Sequence, residues 1–177
     1  MNEIKKRKTP RYQSFDYNNE GVYFITICTQ NRRNILSRIS VGTGVPDCPK
    51  TELTEYGMIA DKYIKQLSAF YSHLSIEAYV IMPNHIHLLL WIKENNIDDG
   101  QSGTPVPTNV ERANATLSKF VSTFKRFCNK AYGENIWQAR FYDHIIRYKK
   151  DYEAYLKYIN ENPTNWYYDE LYNHETP

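Results

Sequence analysis

The chain is short of cysteine and arranges none of it for cross-linking. Its three cysteines, Cys28, Cys48 and Cys128, lie far apart and form no C-x-x-C pair. An odd count without paired spacing argues against a disulfide framework or a zinc ribbon and leaves ordinary reduced thiols. Long apolar runs are missing as well. The longest, Leu88 to Ile92, falls far short of the roughly 20 residues that a membrane-spanning helix needs. The N-terminus, Met1-Asn2-Glu3-Ile4-Lys5-Lys6-Arg7-Lys8, is basic with no apolar stretch behind it, so it does not read as a secretory signal. No Gly-rich phosphate loop, no G-x-S-x-G and no H-E-x-x-H occurs, which leaves nucleotide hydrolysis and serine- or zinc-protease chemistry without support. The expectation is a soluble, cytoplasmic protein with no membrane contact.

What is present suits one domain with a packed core: 177 residues, of which 41% are apolar, against the ~100–150 residues common for domains. The net charge of +2 is uninformative, but its distribution is not. Lys5, Lys6, Arg7, Lys8 and Arg11 crowd the N-terminus, and Lys119, Lys125, Arg126, Lys130, Arg140 and Arg147 cluster after the middle. Sixteen tyrosines accompany them. Basic groups interleaved with aromatics suit a surface that tracks phosphates and stacks unpaired bases; a solvated face over a tyrosine-rich core is equally compatible with composition.

Residues 1–20 read as a basic arm and 21–177 as the folded domain. Gly21 opens Val22-Tyr23-Phe24-Ile25-Thr26-Ile27-Cys28, β-branched and aromatic throughout, a strand signal. Val41 to Pro49 is a loop by its glycines and prolines. Met58, Ile59, Tyr63, Ile64 and Leu67 recur at helical spacing between Thr54 and Phe70. Strands are expected over Leu74–Met82 and His85–Ile92, broken by a turn at Pro83-Asn84. Asn95 to Asn109 is polar and rich in Gly, Asp and Pro, again a loop. A helix follows with Leu117, Phe120, Val121, Phe124, Cys128 and Ala131 on one stripe, and with Lys119, Arg126 and Lys130 sharing another face. Trp137 to Arg147 contains a strand, and Lys150 to Asn162 is a last helix stopped by Pro163. The order β-α-β-β-α-β-α matches an α+β, ferredoxin-like (RRM-like) split βαβ antiparallel sheet with helices on one face and an additional C-terminal helix.

Two constellations could carry chemistry. Side chains at i and i+2 of a strand share a face, so His85 and His87 project together while Ile86 points into the core. Two imidazoles held side by side can supply two ligands to a divalent ion; alone, H-x-H is equally the mark of surface or structurally bonded histidines. The apolar frame from Tyr79 to Leu90 would pin the pair rigidly within a sheet. On the last helix, Tyr152, Tyr155, Leu156 and Ile159 form the packing stripe. Tyr158 and Asn162, four apart, stack on an adjoining face. That pairing offers a phenol nucleophile with a neutral ligand, or simply a boundary tyrosine and a helix-ending Asn. His144 alternates within the strand after Trp137, at a surface position.

These pieces together resemble the REP-associated tyrosine transposases, relatives of the single-tyrosine HUH transposases (named for two histidines around a hydrophobic residue). The landmarks are Phe15-Asp16-Tyr17 leading to the first strand, then Val80-Ile81-Met82-Pro83-Asn84-His85-Ile86-His87. Phe124-Lys125, Ile136-Trp137-Gln138, Phe141-Tyr142-Asp143-His144-Ile145-Ile146-Arg147 and Tyr158-Ile159-x-x-Asn162-Pro163 follow in order. The loop over 95–109 is long for this pattern. The resemblance implies Tyr158 as nucleophile and His85, His87 and Asn162 as ligands of Mg2+ or Mn2+. It implies a single-stranded DNA endonuclease and strand transferase that passes through a 5′-phosphotyrosine. The implied partner is hairpin-forming repeat DNA, the implied location the nucleoid, and a homodimer is compatible with it. Arg11, Lys119, Lys125, Arg126, Lys130, Arg140 and Arg147 are the candidate DNA contacts. Two rivals stand beside this reading: a non-catalytic nucleic-acid-binding module on an RRM-like sheet (a decayed transposase), and a hydrolase using the same histidines with water as nucleophile.

Overall fold

A computed structural model describes residues 21–40, 50–93 and 109–172, with side chains from residue 116 onward in the second helix. The elements in chain order are β1 (Gly21–Cys28), a 3-10 turn (Gln30–Arg32), β2 (Ser37–Ser40), β3 (Lys50–Leu53) and α1 (Glu55–Phe70). There follow β4 (Leu74–Ile81), β5 (His85–Ile92), α2 (Asn109–Tyr132), β6 (Tyr142–Ile146), α3 (Lys149–Glu161) and a second 3-10 turn (Trp166–Tyr168).

Four strands make one antiparallel sheet in the order β4-β5-β1-β6. Alternation along β1 divides its side chains cleanly. Tyr23, Ile25 and Ile27 go to one face, where they join Ile86, Leu88 and Leu90 of β5 and Ile145 of β6. Helices α1 and α2 cover that face through Ala60, Ile64 and Leu67, and through Leu117, Phe120, Val121, Phe124 and Cys128. The other face carries Phe24, Leu89 and Ile146, against which α3 lays Ile159 with Tyr152, Tyr155 and Leu156 alongside. The apolar stripe expected on α3 is therefore its packing face. Because β1 and β5 are central strands buried on both sides, they read as continuous apolar runs. Each buried aliphatic contributes roughly 1.5–3 kcal/mol.

Helix α1 starts where Thr54 accepts a hydrogen bond from the Gly57 amide at 3.2 Å, an N-cap that satisfies an orphan donor. Gly57 is required by a close approach: a Cβ there would lie 2.0 Å from the Leu36 carbonyl oxygen. That carbonyl also accepts from the Thr54 amide at 3.0 Å, so the chain before β2 is clamped onto the first turn of the helix.

The structure departs from the expected order at one point. Strands β2 and β3 pair as an antiparallel hairpin, Ser37 opposite Leu53 and Ser40 opposite Lys50. Four-residue strands carry too little alternation to stand out from the loop between them. That loop, residues 41–49, and the one expected over 95–109 lie outside the described residues save for Asn109, which opens α2. The segment from Trp137 forms β6 only from Tyr142, with an isolated bridge between Thr29 and Trp137 before it. No helix among the described residues is long and apolar enough to cross a membrane.

Candidate functional site

His85 and His87 open β5 on the face that α3 covers, while Ile86 between them is fully buried in the main core. In the register with β1, Cys28 lies opposite His85 and Thr26 opposite His87. Both imidazoles are buried, and each has one ring nitrogen engaged. His85 Nδ1 lies 2.8 Å from Asn84 Oδ1. The Asn84 amide nitrogen donates to the Leu171 carbonyl at 2.8 Å, which turns Oδ1, an acceptor, toward the ring. His85 therefore carries its proton on Nδ1, and its Nε2 keeps a lone pair. That Nε2 is buried with no hydrogen-bond partner among the described residues. His87 Nδ1 lies 2.8 Å from Thr26 Oγ1, leaving its Nε2 toward α3.

From α3, Tyr158 and Asn162 meet the pair one helical turn apart. The Tyr158 hydroxyl is 3.4 Å from His87 Nε2. It donates to Asp169 Oδ2 at 3.1 Å, and the Asn162 amide nitrogen donates to the same oxygen at 3.0 Å. Asn162 Oδ1 is a second buried acceptor without a partner among the described residues. Asp169 is the residue that sequence reasoning missed. Its carboxylate and the two imidazoles present ligand atoms within 4.8 Å of one another. The tail that brings it there is anchored: Asp169 Oδ1 accepts from the Leu171 amide at 2.6 Å, and Trp166 is buried with its ring centroid 5.9 Å from that of His85. The available signal was Trp166-Tyr167-Tyr168 directly before it, an aromatic string too apolar for a frayed end.

Electrostatics follow from burial. Desolvation pushes the His85 pKa down to about 3, with the nearby Arg32 charge adding to the effect. The His87 pKa lies well below the ordinary value, first through burial and then through repulsion with His85. Tyr158 is driven the other way, first by burial and then by the charge and hydrogen bond of Asp169. At neutral pH the two imidazoles are thus neutral and Tyr158 is a protonated phenol. The two unpartnered acceptors, His85 Nε2 and Asn162 Oδ1, would be anomalies in a sealed core. The two imidazoles and the Asp169 carboxylate form a nitrogen-and-oxygen donor set that fits a divalent cation.

The candidate DNA contacts scatter. Lys119, Arg126 and Lys130 are exposed on α2, which covers the sheet face opposite the histidines, so the structure does not bring them to Tyr158. Lys125 is spoken for: its Nζ donates to the carbonyls of Gln138, Ala139 and Arg140 at 2.7, 3.4 and 3.1 Å. Burial lowers its pKa to about 8. Arg140 is exposed just before β6, Arg147 is exposed just after it, and Arg11 lies outside the described residues. His144 packs its ring 5.2 Å from Tyr155 under α3 rather than facing solvent freely. Beyond the end of β1, a cleft of about 600 Å³ is lined by Gln30, Asn31, Arg32, Asn135, Trp137, Gln138 and Ala139. Arg32 links it to the histidine site by donating to the Glu170 carbonyl at 3.4 Å.

No protein-family profile matches the chain. A protein of unknown function from Haemophilus influenzae is 29% identical over 96% of this chain and 94% of its own length. A putative REP-associated tyrosine transposase of the same organism is 31% identical, covering 88% of this chain and 77% of that protein. The REP-associated tyrosine transposase of Escherichia coli K12 is 29% identical over 81% of this chain and 66% of its own. The fold is shared with a solved REP-associated tyrosine transposase bound to a REP hairpin, at a TM-score of 0.54 and 23% identity, covering 96% of this chain and 77% of that one. With identity of this level extending over most of both partners, the chain belongs to the REP-associated tyrosine transposase family.

Proposed function

We propose that the protein cuts and rejoins single-stranded DNA at hairpin-forming repeats, with Tyr158 as the nucleophile. The observation that carries this reading is the convergence of the Tyr158 hydroxyl on His87 Nε2 and Asp169 Oδ2, at 3.4 and 3.1 Å, beside the unpartnered Nε2 of His85. His85, His87, Asp169 and the amide oxygen of Asn162 would hold a Mg2+ or Mn2+ ion. Such an ion, when bound, polarises the scissile phosphodiester and offsets developing charge.

The chain's own residues supply the rest. An ordinary phenol has a pKa of about 10 and needs a proton acceptor near neutrality. Asp169 Oδ2 is placed to take that proton as the Tyr158 oxygen bonds to phosphorus. The bond from phosphorus to the 3′ oxygen breaks, and that oxygen leaves as a 3′ hydroxyl once the proton is passed on. The 5′ side stays on Tyr158 as a phosphoester, so rejoining needs no ATP. Tyr158 reaches the histidines of its own chain, which supports a site complete in one protomer. The β1-α1-β4-β5-α2-β6 frame is read as a split βαβ, ferredoxin-like sheet with α3 added on its free face.

The family relative solved with a REP hairpin supports hairpin DNA as the partner. The test is to incubate the protein with hairpin DNA bearing single-stranded flanks, with Mn2+, and to look for an SDS-stable covalent adduct. The expected adduct is absent from Tyr158→Phe. Cleavage that persists in Tyr158→Phe without an adduct would instead assign the histidines to a hydrolase using water.

A further inference from the structure

We propose that Tyr142 is a stacking platform for an unpaired base close to the scissile phosphate, so that the DNA strand enters the site over the β6 edge of the sheet. This rests on the nicking reading of Tyr158 and adds the path of the substrate to it. Thr26 of β1 lies opposite His87 on one side and opposite Tyr142 on the other. Directly paired residues share a face, so Tyr142, Thr26 and His87 form one row across the sheet on the side of Tyr158. Two strand spacings put Tyr142 about 10 Å from His87. That is the length of about three stacked nucleotides at roughly 3.4 Å each.

The row is open at its Tyr142 end. The aromatic packing of α3 falls on the neighbouring row, where Phe24 pairs with His144 and Tyr155 lies 4.6 and 5.2 Å from their ring centroids. Tyr142 is 57% exposed, and among the described residues its side chain makes no hydrogen bond or ring contact. Among the described residues, strand β6 is the outer strand of the sheet. Of the other exposed aromatics, Phe70 ends α1 on the opposite layer, Trp91 lies opposite Val22 at the far end of β5, Tyr148 precedes α3, and Tyr167 and Tyr168 belong to the second 3-10 turn rather than to the sheet. Arg140, exposed two residues before Tyr142, supplies a cation for the adjoining phosphate. A positive group beside an aromatic face is the usual equipment for holding single-stranded nucleic acid without reading its sequence.

The test uses the full chain and hairpin DNA whose single-stranded flank carries 2-aminopurine at successive positions. Binding is followed by anisotropy and stacking by fluorescence quenching, in a Tyr158→Phe background that prevents turnover. Tyr142→Ala is expected to weaken binding about ten-fold, the scale of one aromatic–base stack, and to abolish the quench at one position. Tyr142→Phe is expected to keep both. Tyr142→Thr preserves strand propensity and separates stacking from folding; it should behave like Tyr142→Ala at an unchanged melting temperature. If Tyr142→Thr binds and stacks like the parent while the wild type still forms the Tyr158 adduct, the platform is overturned and the nicking reading stands. If the wild type neither binds hairpin DNA nor forms an adduct, both readings fall.

Discussion

Tyr158 and Asp169 are joined by a 3.1 Å hydrogen bond although they stand eleven residues apart on separate elements. The bond orients the hydroxyl beside His87, and the carboxylate adds to the rise in the phenol's pKa that burial begins. The same carboxylate oxygen receives the Asn162 amide, so one acid organises both α3 residues.

Asp169→Asn keeps the shape of that contact and removes its charge. Mn2+ affinity, measured by calorimetry, is expected to fall by about ten-fold or more, on the scale seen when a partner of a metal site is lost. Adduct formation at fixed Mn2+ should fall with it. An unchanged affinity would remove Asp169 from the ligand set and leave it as a partner of Tyr158 alone.

Metal binding should register as stability. A ligand at a hundred times its Kd stabilises the folded state by about 2.7 kcal/mol, so saturating Mn2+ is expected to raise the melting temperature and excess chelator to reverse it. His85→Ala should abolish the shift. A shift of wild-type size in His85→Ala would place the ion elsewhere.

Without metal, the histidine pair makes the protein sensitive to acid. Folding lowers the pKa of His85 from its ordinary 6.5 to about 3, and lowers that of His87 as well. Between those values the unfolded chain binds protons that the native state refuses, so stability falls as pH falls. The effect is absent above pH ~6.5 and steepens below it, to at most about 1.4 kcal/mol per pH unit for each histidine. Urea unfolding at pH 7 and pH 5 checks this; a His85→Gln variant should show a shallower dependence.

The basic residues should separate by role. Lys125→Met leaves the carbonyls of residues 138–140 without their donor and is expected to cost about 1–3 kcal/mol of stability. The salt dependence of hairpin binding should stay as it was. Arg140→Ala should do the reverse, lowering the salt slope by about one at unchanged stability. A reduced salt slope in Lys125→Met would make that lysine a phosphate contact after all.

Much of this was legible in the chain itself. The apolar frame around His85 and His87 marked a strand, and strand geometry put the pair on one face with Ile86 on the other. The helical stripe from Tyr152 to Ile159 identified the face of α3 that packs, and so the face that presents Tyr158 and Asn162. These are local properties, set by backbone geometry over a few residues. The hairpin β2–β3 escaped notice because four-residue strands carry hardly any period. Tyr142 had no distinction in the sequence, since its meaning lies in the row it shares with Thr26 and His87.

Asp169, the free Nε2 of His85 and the fate of Lys125 belong to the tertiary structure alone. A carboxylate 82 residues beyond His87 becomes its neighbour only when Trp166 is buried and the tail returns to Asn84. A lone pair becomes available only when Asn84 takes up the other nitrogen of the ring. Likewise, a lysine that reads as a DNA contact becomes a structural donor when three carbonyls close around it. The sequence by itself determined which side chains share a face; the packing of distant segments decided which of those faces meet, because burial and hydrogen bonding act between groups that chain order does not bring together.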